Sequence, residues 1–143
     1  MRNSKKTVLF FSSGDSTRSQ IAEGFLRAEA GPDVEVVSTA VRAKQVVPDT
    51  VGIMREVGID ISEQHPKTVS EAFRRHFTCV VALCDMPRER CPLWPFTRHM
   101  FRWDVIDPVE SPKSPAADDV LRKVRDEIGV KVKEFVETTL PGL

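Results

Sequence analysis

Short β-branched and aromatic runs alternate with helical patterns along this chain, and that alternation constrains its fold more than any other feature. It is the mark of βαβ units, in which helices cover a parallel sheet. Thr7-Val8-Leu9-Phe10-Phe11 has the unbroken apolar character of a strand buried on both faces. It runs into Ser12-Ser13-Gly14-Asp15-Ser16, a cluster of turn formers. A helix is predicted from about residue 17, with Ile21, Ala22, Phe25 and Leu26 on one face and Gly31-Pro32 as its stop. A second strand is predicted over residues 34–38.

Pro48 and Asp49 suit the first turn of a further helix. Val51, Met54 and Val57 are expected to face inward there, and Gly58 to end it. Thr68 with Glu71 predicts a capping box for a short helix reaching about residue 77. Cys79-Val80-Val81-Ala82-Leu83-Cys84 is the predicted third strand. Six of the ten prolines fall between Pro87 and Pro115, so this stretch reads as loop, interrupted by a fourth strand near residues 99–103. A last helix is predicted over residues 117–136, with Leu121, Val124, Ile128, Val132 and Phe135 as its apolar stripe. Gly129 inside it costs up to ~1 kcal/mol relative to alanine. A length of 143 residues suits one domain, residues 1–143, with a core that needs no metal or disulfide.

Lys plus Arg and Asp plus Glu both number 21, so the net charge is zero. That argues against nucleic-acid or membrane binding through bulk charge. No run approaches the ~20 apolar residues of a membrane span. The basic start, Met1 to Lys6, precedes only a short apolar run, too short for a secretion signal, so the expected compartment is the cytoplasm.

A local anion site fits this balance. The segment 12–19 leads from a strand into a helix, where backbone amides and the helix start favour an anion. Arg18 adds a permanently charged donor fork suited to tetrahedral oxyanions, and Gly14 permits close backbone approach. The cysteines, at 79, 84 and 91, are odd in number and make a poor disulfide framework. His65, His76 and His99 do not complete a zinc set with them. By spacing alone, Cys84 and Cys91 read as two unrelated thiols, and Cys79 as packing.

The run from Val8 to Phe25 resembles the phosphate-binding loop of the low-molecular-weight protein tyrosine phosphatase superfamily, whose pattern is Cys, five residues, Arg, Ser. Within it, Arg18-Ser19-Gln20-Ile21-Ala22-Glu23-Gly24 is most similar to thioredoxin-coupled arsenate reductases. The resemblance continues through Ile59-Asp60-Ile61-Ser62, Leu83-Cys84, Cys91-Pro92, Trp103 through Asp107-Pro108, and the helix containing Arg122 to Ile128. It implies an α/β three-layer sandwich: a four-stranded parallel sheet, order 2-1-3-4, with helices on both faces. It also implies that Ser12 stands in the nucleophile's seat. Arg18 with Ser13, Gly14, Asp15, Ser16, Thr17 and Ser19 would hold the oxyanion. Cys84 and Cys91 would form a redox pair, and Asp107 would be the general acid. Glu23, Asp15 and Ser38 occupy positions that resemble a monovalent-cation site; no other cofactor or metal is implied. The implied partners are arsenate, phosphate or sulfate, with thioredoxin as reductant.

Ser12 is the main departure, because the family chemistry needs a thiolate. A serine hydroxyl is a far weaker acid and needs an adjacent base, and no histidine is near in sequence. Such a chain should bind an oxyanion yet attack it poorly. Either the gene encodes serine here or a cysteine was replaced; Asp15 and Thr17 also depart from the usual Asn and Cys or Ala. Three functions follow. An arsenate reductase, or a homologue with its nucleophile replaced, is favoured by Cys84 and Cys91. A tyrosine phosphatase is disfavoured by that pair, by Val109-Glu110 after Asp107-Pro108, and by the absence of tyrosine. A non-catalytic oxyanion or phosphoprotein binder is favoured by Ser12 but has no need of Cys84, Cys91 and Asp107.

Overall fold

The computed structural model describes residues 5–42, 48–91, 93–95, 97–108 and 115–143. Four strands, β1 (Lys6–Asp15), β2 (Val34–Arg42), β3 (Cys79–Cys84) and β4 (Met100–Asp104), form one sheet in the order β2-β1-β3-β4. All three pairings are parallel, so the C-terminal ends of the strands share one edge. The helices are α1 (Thr17–Ala30), α2 (Pro48–Arg55), α3 (Val69–Phe73) and α4 (Pro115–Glu134). The expected architecture is the one observed.

The period-2 alternation of β1 divides the core. Val8 and Phe10 point to the side where α1, α2 and α4 contribute Ile21, Leu26, Met54, Val124 and Ile128. Leu9 and Phe11 point to the other side, against Ala72, Phe77 and Trp94. Both faces are therefore covered, one by three helices and the other by α3 and the segment around Trp94. Each fully buried Leu, Ile or Phe contributes about 1.5–3 kcal/mol.

Local signals explain most element ends. Gly31 takes φ 67°, and its N–H reaches the Arg27 carbonyl to close α1. At the end of α2, Gly58 takes φ 80°. Its N–H bonds the Arg55 carbonyl at 3.0 Å and the Ile59 N–H bonds the Met54 carbonyl at 3.0 Å, the two bonds of a Schellman motif. The Thr68–Glu71 capping box is present in both directions.

Several expectations need correction. The first strand does not end at Phe11 but runs on through the turn-forming residues to Asp15. From Ser12↔Ala40 to Asp15↔Arg42, β1 advances three residues while β2 advances two, so one extra residue is absorbed as a bulge. The second strand likewise extends to Arg42. The short helix ends at Phe73 rather than near residue 77, because the chain must turn back before β3. Val57 is 42% exposed, since it falls in the turn after α2 rather than on its inner face. The last helix continues past Glu134 as a π-helical turn, Phe135–Thr139. Gly129 has a packing reason: a Cβ there would lie 2.9 Å from Cζ of Phe25, so the glycine lets α1 and α4 approach closely. Among the described residues, no helix is long and apolar enough to cross a membrane. The basic Met1 to Ser4 run lies outside the described residues.

An ion-pair clasp ties α2 to α4. Glu56 accepts from Arg122 Nε at 3.0 Å and Nη2 at 2.9 Å, and from Arg125 Nη1 at 2.7 Å. These hydrogen bonds hold the Glu56 carboxyl down to about 2 from an ordinary 4.5. A depressed carboxyl stabilises the fold above its ordinary value and loses that contribution as pH falls toward about 2. The melting-temperature deficit of Glu56→Gln should therefore be present at neutral pH, shrink through the acid range and diminish with salt. A deficit independent of pH rules the clasp out as its cause.

Candidate oxyanion site

The predicted residues converge at the C-terminal edge of the sheet, where open parallel sheets bind ligands. Ser12 is the last residue of β1 paired to β3, opposite Leu83, and is fully buried. Its Oγ accepts the backbone N–H of Ser19 at 2.8 Å, which aims it at the start of α1. Ser16 caps that helix through its carbonyl, which accepts from Gln20 N–H at 2.9 Å and Ser19 Oγ at 3.1 Å. Thr17 is the first helical residue, and the first turn of α1 carries no acidic side chain. The positive end of the helix is thus not neutralised by its own sequence.

Arg18 is the centre of the site. Its side chain has no solvent exposure, although arginine is almost never fully buried without partners. Nη1 donates to the Val105 carbonyl at 2.9 Å and to Glu89 Oε1 at 2.7 Å. Nη2 donates to Glu89 Oε2 at 3.1 Å and lies 3.6 Å from Asp107 Oδ2. Nε is buried with no hydrogen-bond partner among the described residues.

Gly14 earns its place by space rather than by backbone angle, since it is not among the positive-φ glycines. A Cβ there would meet Asp107 Oδ2 at 2.9 Å, Arg18 Nη2 at 3.3 Å and Glu89 Oε2 at 3.3 Å. Three charged groups therefore converge over its backbone. Ser13, beside it, is half-buried. The Asp15 carboxylate takes a different direction and accepts from Arg42 Nε at 3.0 Å.

Cys84, the last residue of β3, is disulfide-bonded to Cys91, with Cα atoms 5.7 Å apart. The pair lies on the same sheet edge as Ser12. Cys79 is buried at the start of β3, and burial pushes its thiol up to about 12, which leaves it inert. His76 and His99 lie at the opposite edge: their carbonyls accept from Thr7 Oγ1 at 3.3 Å and Val80 N–H at 2.9 Å. His65 lines a cavity beside Glu23 and Ser38. At the opposite edge, His76 and His99 are not placed as a base for Ser12. Pro92, Val109 and Glu110 lie outside the described residues.

Two of the three residues at the implied cation site come together: Ser38 Oγ donates to Glu23 Oε1 at 2.6 Å. The other Glu23 oxygen accepts from Arg27 Nε at 2.8 Å, and Asp15 pairs with Arg42. Guanidinium groups thus already pair with both carboxylates. Among the described residues, no group of three or more His, Cys, Asp or Glu could hold a metal ion.

Sequence reasoning missed Glu89. It sits in the segment between the cysteines with no motif around it, and only the fold brings it to Arg18, 71 positions earlier.

Residues 7–140 match the low molecular weight phosphotyrosine protein phosphatase family. The arsenate reductase of Halalkalibacterium halodurans is 38% identical over 138 residues, covering 94% of this chain and 97% of that protein. Among solved structures, an arsenate reductase in the phosphate binding state is similar with a TM-score of 0.73 and 27% identity, over 92% of this chain and 97% of that one. The low molecular weight protein tyrosine phosphatase of T. tengcongensis shares the fold, with a TM-score of 0.72 and 24% identity over 93% of this chain and 99% of that one. With the loop, the sheet order and these matches together, the chain belongs to the low molecular weight phosphotyrosine protein phosphatase family.

Proposed function

We propose that this protein is of the arsenate reductase type: it binds a tetrahedral oxyanion on the 12–19 loop and carries a Cys84/Cys91 redox pair beside it. The observation that carries the reading is the Cys84–Cys91 disulfide on the sheet edge that holds Arg18. A phosphatase has no use for a two-thiol relay, whereas reduction of arsenate to arsenite consumes two electrons, the number released when two thiols become a disulfide.

Ser12 holds the nucleophile's seat without its thiolate. A cysteine there would attack arsenic, and the Cys84 thiolate would attack the resulting sulfur–arsenic adduct at sulfur. Arsenite would leave with the bonding electron pair, and Cys91 would displace the first sulfur to close the disulfide. Thioredoxin, by thiol–disulfide exchange, would reopen it. Asp107, within reach of Arg18, supplies the proton that the departing oxygen needs. The relay requires a reducing compartment, consistent with a cytoplasmic protein. The reading uses no monovalent cation.

The test uses a Ser12→Cys background. Cys84→Ser and Cys91→Ser should each abolish repeated arsenite release driven by thioredoxin, thioredoxin reductase and NADPH, while phosphate-monoester hydrolysis continues. Sustained arsenite release without either cysteine sinks the relay. Hydrolysis with no arsenite from any variant assigns the chain to the phosphatases.

A further inference from the structure

We infer that Glu89 is an internal occupant of the oxyanion site, carried into place by the disulfide-closed segment between Cys84 and Cys91, so that oxidation of the pair closes the site to its ligand. The inference rests on the reading of the 12–19 loop as an oxyanion site.

The Glu89 carboxylate engages Arg18 as a tetrahedral oxyanion would. Its two oxygens take the two terminal guanidinium nitrogens, at 2.7 and 3.1 Å, in the bidentate arrangement that makes arginine a phosphate receptor. It also lies over Gly14, where a Cβ would be 3.3 Å from Oε2. With Val105 on Nη1 as well, only the buried Nε of Arg18 remains without a partner among the described residues. Asp107 adds a second carboxylate, so one guanidinium already faces two acidic side chains. An incoming oxyanion must displace Glu89 to obtain both donors and to escape like-charge repulsion.

The segment between the cysteines is built to hold this carboxylate. Arg88 and Glu89 N–H groups both bond the Asp85 carbonyl, at 2.9 and 2.7 Å, and the Asp85 N–H returns to Glu89 Oε1 at 2.6 Å. The disulfide closes the ring around this turn, two positions beyond Glu89. A tether this short confers an effective concentration on the order of millimolar, enough to compete with a free anion. Burial works against the Glu89 charge, yet the Arg18 and Asp85 hydrogen bonds keep its carboxyl below the ordinary range, so it stays anionic at neutral pH. Reduction opens the ring and removes the covalent part of this restraint. The site would then be free when the thiols are ready to react and filled once they are spent.

The experiment is a calorimetric titration of inorganic phosphate into the wild type and Glu89→Gln, each with the disulfide closed and each reduced. Glu89→Asp, which keeps the charge and loses reach, is run alongside. In the oxidised state, Glu89→Gln should bind phosphate at least about tenfold more tightly than the wild type, with Glu89→Asp between them. The advantage should shrink to less than about threefold on reduction. Oxidised wild type and Glu89→Gln binding equally would overturn the occupant. An advantage of the same size in both redox states would overturn its control by the disulfide. If no form binds phosphate, the oxyanion-site reading itself fails and takes this inference with it.

Discussion

Ser12→Cys should raise thioredoxin-dependent arsenite release by at least about 10³-fold, since removing a nucleophile from an otherwise intact site can cost up to about 10⁶ in kcat. The surroundings of position 12 would suit a thiolate. Position 12 receives the Ser19 backbone N–H at 2.8 Å, at the start of a helix whose first turn holds no acidic side chain. Such surroundings bring a thiol from about 8.5 to between about 3.5 and 7.5, which raises its ionised fraction at neutral pH well above that of a free cysteine. A serine hydroxyl in the same place stays protonated without an adjacent base, and His76 and His99 lie at the opposite edge of the sheet. The variant changes one atom in a fully buried position and should fold as the wild type does. The measurement is arsenite release coupled to NADPH oxidation. A folded variant that binds phosphate and gains less than tenfold shows that position 12 is not the nucleophile's seat, and the non-catalytic binder then leads.

Arg18→Ala should weaken phosphate binding to the reduced protein by roughly 100-fold or more. Two charge-assisted hydrogen bonds are lost, at about 1.5–3 kcal/mol each. Stability should fall too, by about 2–3 kcal/mol. A buried guanidinium with four side-chain and backbone contacts disappears, and Glu89 and Asp107 are left facing each other without their cation. Glu89 can turn toward solvent, which keeps the loss below the ~3–5 kcal/mol of a fully enclosed broken pair. The melting temperature should drop by roughly 4–12 °C for a chain of this length. Arg18→Lys separates the two effects: it restores a charge but not the planar fork, so stability should recover more than affinity. Phosphate binding unchanged in Arg18→Ala places the anion elsewhere.

The sheet and its helices were legible because their signals are local. The apolar run of β1, the Thr68–Glu71 box, the glycines after α1 and α2 and the stripe of α4 each act over a few residues, and each ends up where its spacing puts it. The fate of residues 12–15 was not legible. Serine, glycine and aspartate favour turns, but pairing with β2 through a bulge recruits them into the strand, an example of tertiary context overriding propensity. The same limit applies to Val57, whose helical period was read two residues past Arg55, into the turn that Gly58 closes.

The candidate site divides along the same line. Residue types and spacing determined that position 12 lies toward the C-terminal end of the first strand, that Arg18 follows at the helix start, and that Cys84 closes β3, because a strand, a turn and a helix place their own residues. What surrounds Arg18 was decided only by the tertiary structure. Glu89 reaches it from 71 positions away and the Val105 carbonyl from 87. The space over Gly14 is defined by side chains from three separate segments, and Arg27 and Arg42 pair with the carboxylates that the family resemblance assigned to a cation. Charge pairing between distant segments depends on distance and burial in three dimensions, and neither quantity is written in the order of residues along the chain.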